Sequence, residues 1–232
     1  MIATARSLVS MQTLQTQGIE TLELDVTSSS SIQNVKARVE KITCGILDVL
    51  VNDALSSRGI VETVQAFLPL LIAANKHQYA QSPTQSISWA SRIVLVSSIT
   101  AILPMPFHAA YNAMKSALLQ YGNTLKIEVE SFRIKVITIH AGRVTSRLLK
   151  ETDRHSLPQG SIYGSIRKVD PTPTAEFAIH AVSHTVKKNA GAFFWYGGQT
   201  WMTSMMDTFF PRTMWASAHG YQYMTPLSSR MP

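Results

Sequence analysis

The most informative segment of the sequence is VLVSSITAILPMPFHAAYNAMKSALLQY, residues 94–121. It opens with an apolar run typical of a buried parallel strand, and the run ends at Ser98. A loop with two prolines follows, and a helix comes after it. Tyr111 and Lys115 are four residues apart, so they share one face of that helix, a turn from each other. The stretch predicts a strand and a helix that carry a serine, a tyrosine and a lysine.

These three side chains suit proton transfer at a carbonyl or hydroxyl group. A tyrosine ordinarily ionises near pH 10, and the ammonium of Lys115 would lower the pKa of Tyr111 toward neutrality. The hydroxyl of Ser98 can hydrogen-bond a substrate oxygen and polarise a carbonyl. A tyrosine and a lysine four apart also occur on ordinary amphipathic helices, so the pair alone does not decide between a catalytic and a structural role.

Short β-rich runs alternate with helical stretches along the whole chain, which predicts an α/β fold with a doubly wound parallel sheet. The predicted strands cover residues 1–5, 20–26, 46–52, 92–98, 134–140 and 192–196. The predicted helices cover residues 61–74, 109–131 and 174–187, with one more ending near Leu14 and another beginning near Ser29, where serines can cap it. The polar stretch 75–90 is expected to be a surface loop.

Composition limits the choice of function. The chain has 232 residues, 45% of them hydrophobic and 15% charged, with a net charge of +7. The basic residues are scattered, so nucleic-acid binding is not expected. The single Cys44 excludes a disulfide framework and a cysteine-rich metal site, and it is expected to be a buried or half-buried thiol in an intracellular protein. No apolar run is long enough for a signal peptide or a membrane-spanning helix.

The C-terminal tail, residues 199–232, is treated as separate from a domain over residues 1–198. Residues 199–215 are rich in Trp, Met and Phe, interrupted by Asp207, Pro211 and Arg212. One interpretation is a terminal helix docked on the sheet or on a second subunit. The other is an interfacial membrane anchor, with aromatic and basic residues at the level of the lipid headgroups.

The context of Ser98, Tyr111 and YNAMKSAL resembles the classical short-chain dehydrogenase/reductases. The resemblance implies that Ser98 orients the substrate, that Tyr111 is the general acid/base, and that Lys115 also holds the nicotinamide ribose. Three further segments are similar to the family: ELDVT (residues 23–27), NDAL (residues 52–55) and HAGRVTS (residues 140–146). The implied cofactor-binding residues are Arg6, Asp25, Val26, Asn52, Tyr111, Lys115, Gly142, Val144 and Ser146.

Arg6 lies where NADP-preferring members place a basic residue against the 2′-phosphate, although a solvated residue at the start of a helix fits the same pattern. Within the family the chain looks most like the branch of fungal 1-acyldihydroxyacetone-phosphate reductases. That likeness implies NADPH as cofactor, a small-molecule carbonyl or alcohol as substrate, and a cytoplasmic location at the endoplasmic reticulum or at lipid droplets. Relatives that form dimers or tetramers imply a homo-oligomer.

Two parts of the family pattern are missing. The glycine-rich turn TGxxxGIG and its strand are absent, and in the order 3-2-1-4-5-6 that strand lies between the strands that begin here at Met1 and Ile46. Those two strands would otherwise each expose a buried edge, which is costly to leave unpaired, so they must pair directly, be bridged by something else, or the fold is compromised. Only 15 positions separate Asn52 from Phe67, too few for the family's loop and helix, and Asp53 and Leu55 replace residues of NNAG.

Two explanations of these gaps remain open. The chain is either an incomplete product whose intact relative is a working reductase, or a real protein that has lost cofactor binding. The expected function is accordingly NADPH-dependent reduction of a carbonyl, or oxidation of a secondary alcohol, on a lipid-like or secondary-metabolite substrate. The alternative is a non-catalytic protein of the same fold that acts as a pseudoenzyme or a partner subunit.

Overall fold

The strands and helices of the computed structural model follow the predicted alternation. The structure describes residues 1–54, 56–81, 91–103, 105, 108–145, 171–198 and 200–209. Within this part of the chain the strands are β1 (Ile2–Ala5), β2 (Glu20–Glu23), β3 (Val49–Asn52), β4 (Ser91–Ser98), β5 (Ile134–Ala141) and β6 (Phe193–Tyr196). The helices are α1 (Gln12–Thr16), α2 (Ser29–Ile42), α3 (Ser57–Gln81), α4 (Ala109–Glu128), α5 (Thr174–Val186) and α6 (Thr200–Phe209).

The strands form two parallel sheets instead of one. Among the residues that the structure describes, β1 pairs only with β2, with Ile2 opposite Glu20, and the second sheet has the order β3-β4-β5-β6. In that sheet β3 pairs with β4 and β5 with β6, both in parallel. The predicted α/β fold is therefore confirmed. The strands that begin near Met1 and Ile46 do not pair with each other, so β1 and β3 are both edge strands among the described residues.

The chain divides into two compact units, which share the longer strands β4 and β5. The first unit contains Met1–Val96 and Tyr121–Ile137, and the second contains Ser97–Gln120 and the described residues from Thr138 onward. The first unit has a core that both of its sheets cover. Ile2 of β1 and Leu50 of β3 pack against one cluster of buried apolar residues from β2, α2 and α3. Burial of this shared apolar surface holds the two sheets against the same pair of helices.

Two local predictions were wrong. The stretch 75–90 was predicted as a loop, but α3 continues to Gln81, and only residues 82–90 lie outside the described part. Residues 76–80 of this stretch are exposed on the helix, and Asn75 is half-buried. Cys44, predicted to be buried or half-buried, is exposed. It lies two residues after the end of α2 with a φ of 53°, the left-handed conformation that is common where a helix ends.

Candidate active site

Ser98 is the last residue of β4, and its side chain is buried. Its Oγ accepts a hydrogen bond from the backbone N–H of Thr100, 3.2 Å away, and so caps the short 3-10 turn Ile99–Ala101. The turn is held by apolar packing, because Ile99 and Leu103 form a cluster against which Trp195 packs. The serine is thus fixed at the carboxyl end of a parallel strand, where such sheets bind their ligands.

Tyr111 and Lys115 lie one turn apart in the N-terminal half of α4, as the sequence predicted. The Lys115 side chain is only 4% exposed, and its Nζ lies 5.8 Å from the centre of the half-buried Tyr111 ring. A buried ammonium needs electrostatic compensation, and the negative face of an aromatic ring supplies part of it. The contact places a cation beside the tyrosine, which is the relationship that proton transfer by Tyr111 would require.

Three side-chain hydrogen bonds tie α4 to the end of β4 and to the segment that follows it. Ser116 Oγ donates to the carbonyl oxygen of Ala101 at 2.7 Å, and Asn112 Nδ2 donates to the carbonyl oxygen of Met105 at 2.9 Å. The buried Ser97 Oγ is 3.4 Å from the carbonyl oxygen of Lys115. The structure thereby brings the predicted Ser98, Tyr111 and Lys115 onto one strand, turn and helix of the second unit.

Gly142 and Val144 lie in the backbone segment after β5. Gly142 N–H donates to the carbonyl oxygen of Tyr196 at 2.9 Å, and a Cβ added at Gly142 would lie 2.4 Å from the carbonyl oxygen of Gly198. Only glycine permits this approach of two backbones. Val144 is half-buried and forms a parallel bridge with Thr172. Ser146, the last predicted residue of this segment, lies outside the described residues.

His140 was missed by the sequence reasoning. It lies in β5, is 1% exposed, and places Nδ1 3.5 Å from the carbonyl oxygen of Ser98. Its ring stacks on Trp195 with the ring centres 4.3 Å apart. Burial lowers the pKa of His140, a hydrogen bond to Ser98 opposes that shift, and so does the charge of Asp207. Its position in the sequence could have identified it, because His140 follows an apolar run at the end of a predicted strand, as Ser98 does.

The other predicted cofactor residues belong to the first unit. Arg6 directly follows β1, and only Leu24 separates Asp25 from the end of β2. Both residues therefore lie at carboxyl ends of neighbouring parallel strands. The Asp25 carboxylate accepts hydrogen bonds from Thr27 N at 2.9 Å and Thr27 Oγ1 at 2.7 Å. These bonds, with a smaller contribution from the Arg6 charge, lower the pKa of Asp25. Asn52 ends β3 and is 5% exposed, and among the described residues its Nδ2 has no hydrogen-bond partner.

Val26, predicted to border an adenine, packs against the first turn of α3. A Cβ added at Gly59 would lie 2.4 Å from the Val26 carbonyl oxygen and 2.9 Å from its side chain. Ser29 at the start of α2 also donates a hydrogen bond to Glu62 of α3, at 2.9 Å. The shortened connection after Asn52 therefore brings α3 directly against the end of β2. Asp53 is exposed at its start, and Leu55 lies outside the described residues.

The described residues lack both a metal-binding cluster and a membrane-spanning helix. They contain no cluster of three or more His, Cys, Asp or Glu side chains that could hold a metal ion. None of the described helices combines the length and the apolar character needed to cross a bilayer.

Parallel strands flanked by helices, with Ser98 at a strand end and Tyr111 and Lys115 on the next helix, define a Rossmann-like α/β protein. The sequence model of the short chain dehydrogenase family matches residues 3–156. The chain belongs to the short-chain dehydrogenase/reductase family of oxidoreductases.

Similar proteins include fungal enzymes and a bacterial structure. The short-chain dehydrogenase fogD of Aspergillus ruber is 33% identical over 226 residues, which cover 86% of this chain and 76% of the relative. The NADPH-dependent 1-acyldihydroxyacetone phosphate reductase of Schizosaccharomyces pombe is 35% identical over 178 residues, covering 72% and 60%. A short-chain dehydrogenase from Streptomyces avermitilis superimposes with a TM-score of 0.67 at 21% identity, covering 97% of this chain and 88% of that one.

Proposed function

We propose that this chain is an NADPH-dependent oxidoreductase that reduces a carbonyl, or oxidises a secondary alcohol, on a lipid-like or secondary-metabolite substrate. The observation that carries the proposal is the buried Lys115 ammonium against the Tyr111 ring, on the helix tied to the turn after Ser98. A buried lysine has a high desolvation cost and adds little to a fold that an apolar side chain would serve as well. Its position beside a tyrosine is accounted for by chemistry at the tyrosine hydroxyl.

Each of the three residues has a distinct task in the proposed reaction. The Ser98 hydroxyl donates a hydrogen bond to the substrate oxygen and polarises the carbonyl. The Tyr111 hydroxyl delivers a proton to that oxygen in reduction, or removes it in oxidation. The Lys115 ammonium favours the phenolate form of Tyr111. The nicotinamide cofactor, when bound, would supply the hydride in reduction and accept it in oxidation.

Residues of the first unit support the proposal of dinucleotide binding in part. Asn52 Nδ2 is a buried donor that no acceptor in the described part of the chain satisfies, and such a group is costly unless a ligand or water accepts its hydrogen bond. Arg6 supplies an exposed cation at the end of β1, suited to a phosphate. Val26, by contrast, is packed against Gly59, so the adenine end would be held differently from the family pattern. NADPH is proposed over NADH because of Arg6 and because the Schizosaccharomyces pombe relative is described as NADPH-dependent.

The test is a fluorescence titration of the folded chain with NADPH, with NADH as the comparison. Saturable binding at micromolar concentrations, weakened about tenfold for NADPH but not for NADH by Arg6→Gln, would support the proposal. A charge-neutral control is Gln15→Ala, an exposed position on α1 in the same unit. If a chain with native circular dichroism binds neither nucleotide, the protein is a non-catalytic member of its family and the search moves to its partners.

The apolar side of α6 supports a location at a lipid surface. Trp201, Met205 and Phe209 recur every four residues and are 72%, 51% and 73% exposed, whereas Thr200 and Thr203 are buried. Aromatic side chains on an amphipathic helix insert at the lipid headgroup level, and the net charge of +7 favours anionic membranes. We propose contact with an endoplasmic-reticulum or lipid-droplet surface, tested by flotation with anionic vesicles. If truncation after Tyr196 abolishes flotation with the vesicles, membrane contact through α6 is supported. If the truncation changes only the oligomeric mass of the protein, α6 belongs to the interface of a homo-oligomer.

A further inference from the structure

Ser98 is held from two directions by groups of the second unit. Its Oγ accepts from Thr100 N–H, while its carbonyl oxygen faces His140 Nδ1 at 3.5 Å. The carbonyl belongs to the last residue of β4, immediately before the chain enters the 3-10 turn. A hydrogen bond at this peptide group constrains the ψ angle of Ser98, which is 156°, and with it the direction of the serine side chain.

The His140 ring has almost no freedom to move. It is 1% exposed, is stacked at 23° on Trp195, and lies 5.7 Å from the Phe193 ring centre in a tilted arrangement. Trp195 in turn packs against the cluster of Ile99 and Leu103, the residues of the turn that Ser98 caps. The imidazole is thus fixed both by the aromatic side chains of β6 and by the segment it would position.

The protonation state of the ring follows from its surroundings. Burial lowers the pKa of His140, while the hydrogen bond to Ser98 and the Asp207 charge oppose the shift. A ring with a lowered pKa is neutral at pH 7 and carries one N–H. Because Nδ1 faces a carbonyl oxygen, which accepts only, the proton that makes the bond must be on Nδ1.

We infer that His140 is a positioning residue for Ser98: its Nδ1–H donates to the Ser98 carbonyl oxygen and holds the serine hydroxyl in the orientation that polarises the substrate. The inference rests on the proposed function for its effect on catalysis. Its effect on the Ser98 turn does not depend on that function. Apolar side chains would fill a buried site in β5 without the cost of burying an imidazole, so the hydrogen bond accounts for a histidine here.

Two substitutions separate the hydrogen bond from the packing. His140→Phe keeps an aromatic ring against Trp195 and removes the N–H donor. His140→Asn loses the ring, but its side-chain amide can place a donor near the position of Nδ1. The matched control is His184→Phe, since His184 also stacks on an aromatic residue of β6, with its ring 4.6 Å from that of Phe194, and bonds Gly191 instead of Ser98.

The first measurement is hydrogen–deuterium exchange of the peptide over residues 97–103. It reports on the amides of Thr100, Ile102 and Leu103, which bond within the turn, and it needs no activity. We expect His140→Phe to speed their exchange about tenfold, and His140→Asn and His184→Phe to leave it within about threefold of the wild type. Equal exchange in His140→Phe and the wild type would overturn the inference.

The second measurement is the split between kcat and KM. We expect His140→Phe to lower kcat about tenfold with unchanged NADPH affinity, and His140→Asn to recover most of the loss. If both variants lose kcat and exchange faster to the same extent, His140 serves packing only and the inference fails. If the wild type has no turnover but the exchange pattern is as expected, His140 still positions Ser98 and the proposed function is what fails.

Discussion

Asn75 and Ser91 bind each other through two hydrogen bonds. Asn75 Nδ2 donates to Ser91 Oγ at 2.9 Å, and Ser91 N–H donates to Asn75 Oδ1 at 3.0 Å. Asn75 Nδ2 also donates to the carbonyl oxygens of Phe132 at 2.8 Å and Arg133 at 3.1 Å. One side chain of α3 therefore holds the beginning of β4 and the turn that leads into β5.

Replacement of Asn75 should destabilise the first unit. Asn75→Ala leaves the buried N–H of Ser91 without an acceptor, which costs about 2 kcal/mol of the free energy of unfolding. Urea denaturation followed by circular dichroism measures this loss. Gln78→Ala, at an exposed position one turn further along α3, is the control and should change stability by less than about 0.5 kcal/mol. Equal stabilities for the two variants would contradict the role given to Asn75.

The hydrogen bonds of Asn75 are an example of a feature that the sequence did not predict. The strands and most helices were predicted because apolar runs and periodicity report burial directly, and the structure confirms them. The C-terminal end of α3 was predicted too early, because polar residues after Ala74 are as typical of an exposed helix end as of a loop. Asn75 bonds segments 16 and 57 residues away in sequence, and no local pattern encodes such partners.

In the candidate site, too, the residues that a local pattern identifies were predicted and a residue that depends on a distant contact was not. Tyr111 and Lys115 were found because their spacing is a helical turn, and a local rule is enough to place them together. His140 was missed because its significance depends on a carbonyl oxygen 42 residues away in sequence. From the sequence, β1 and β3 were expected to pair directly or to be bridged, because unpaired buried edges would compromise the fold. The structure instead leaves both as edge strands among the described residues. The roles of Ser98, Tyr111 and Lys115 in turnover stay predictions.

Removal of the Tyr111 hydroxyl should abolish turnover without removing the cofactor. Tyr111→Phe is expected to lower kcat by about a thousandfold, since general acid catalysis contributes on the order of 10²–10⁴. The affinity for NADPH should remain within about twofold of the wild type, because the ring that faces Lys115 is retained. Steady-state kinetics with a parallel fluorescence titration separates the two quantities. Unaltered turnover would remove Tyr111 from the mechanism.

Gly142 should tolerate no side chain. In Gly142→Ala the Cβ would lie 2.4 Å from the carbonyl oxygen of Gly198, so β5 and the segment after β6 must move apart. We expect a loss of at least about 2 kcal/mol in the free energy of unfolding. Gly191→Ala is the matched control just before β6, where the nearest atom would be 3.4 Å away. A thermal melt should separate the variants, and a tolerated Gly142→Ala would show that the two backbones are not in close contact.

Alkaline pH should destabilise the protein through Tyr121. Burial, with a smaller contribution from the Glu128 charge, raises the pKa of Tyr121 to about 12. The unfolded chain ionises this group near pH 10, so between these values it binds fewer protons than the folded protein and stability falls as pH rises. Tyr121→Phe should therefore lose less stability than the wild type between about pH 9 and pH 11.5 in urea titrations. Tyr79→Phe, at an exposed position of α3, should follow the wild type.

The open edge of β3 should make the protein prone to association. Within the described part of the chain β3 pairs only with β4, and Val51 on this strand is 60% exposed. An uncharged apolar edge strand offers free N–H and C=O groups to another chain, and a lysine on such an edge opposes the pairing. We expect Val51→Lys to reduce the concentration-dependent light scattering of the folded protein severalfold. Ile127→Lys, at a 74% exposed position on α4, adds the same charge away from any sheet edge. If both lysines reduce scattering equally, net charge and not the β3 edge controls association.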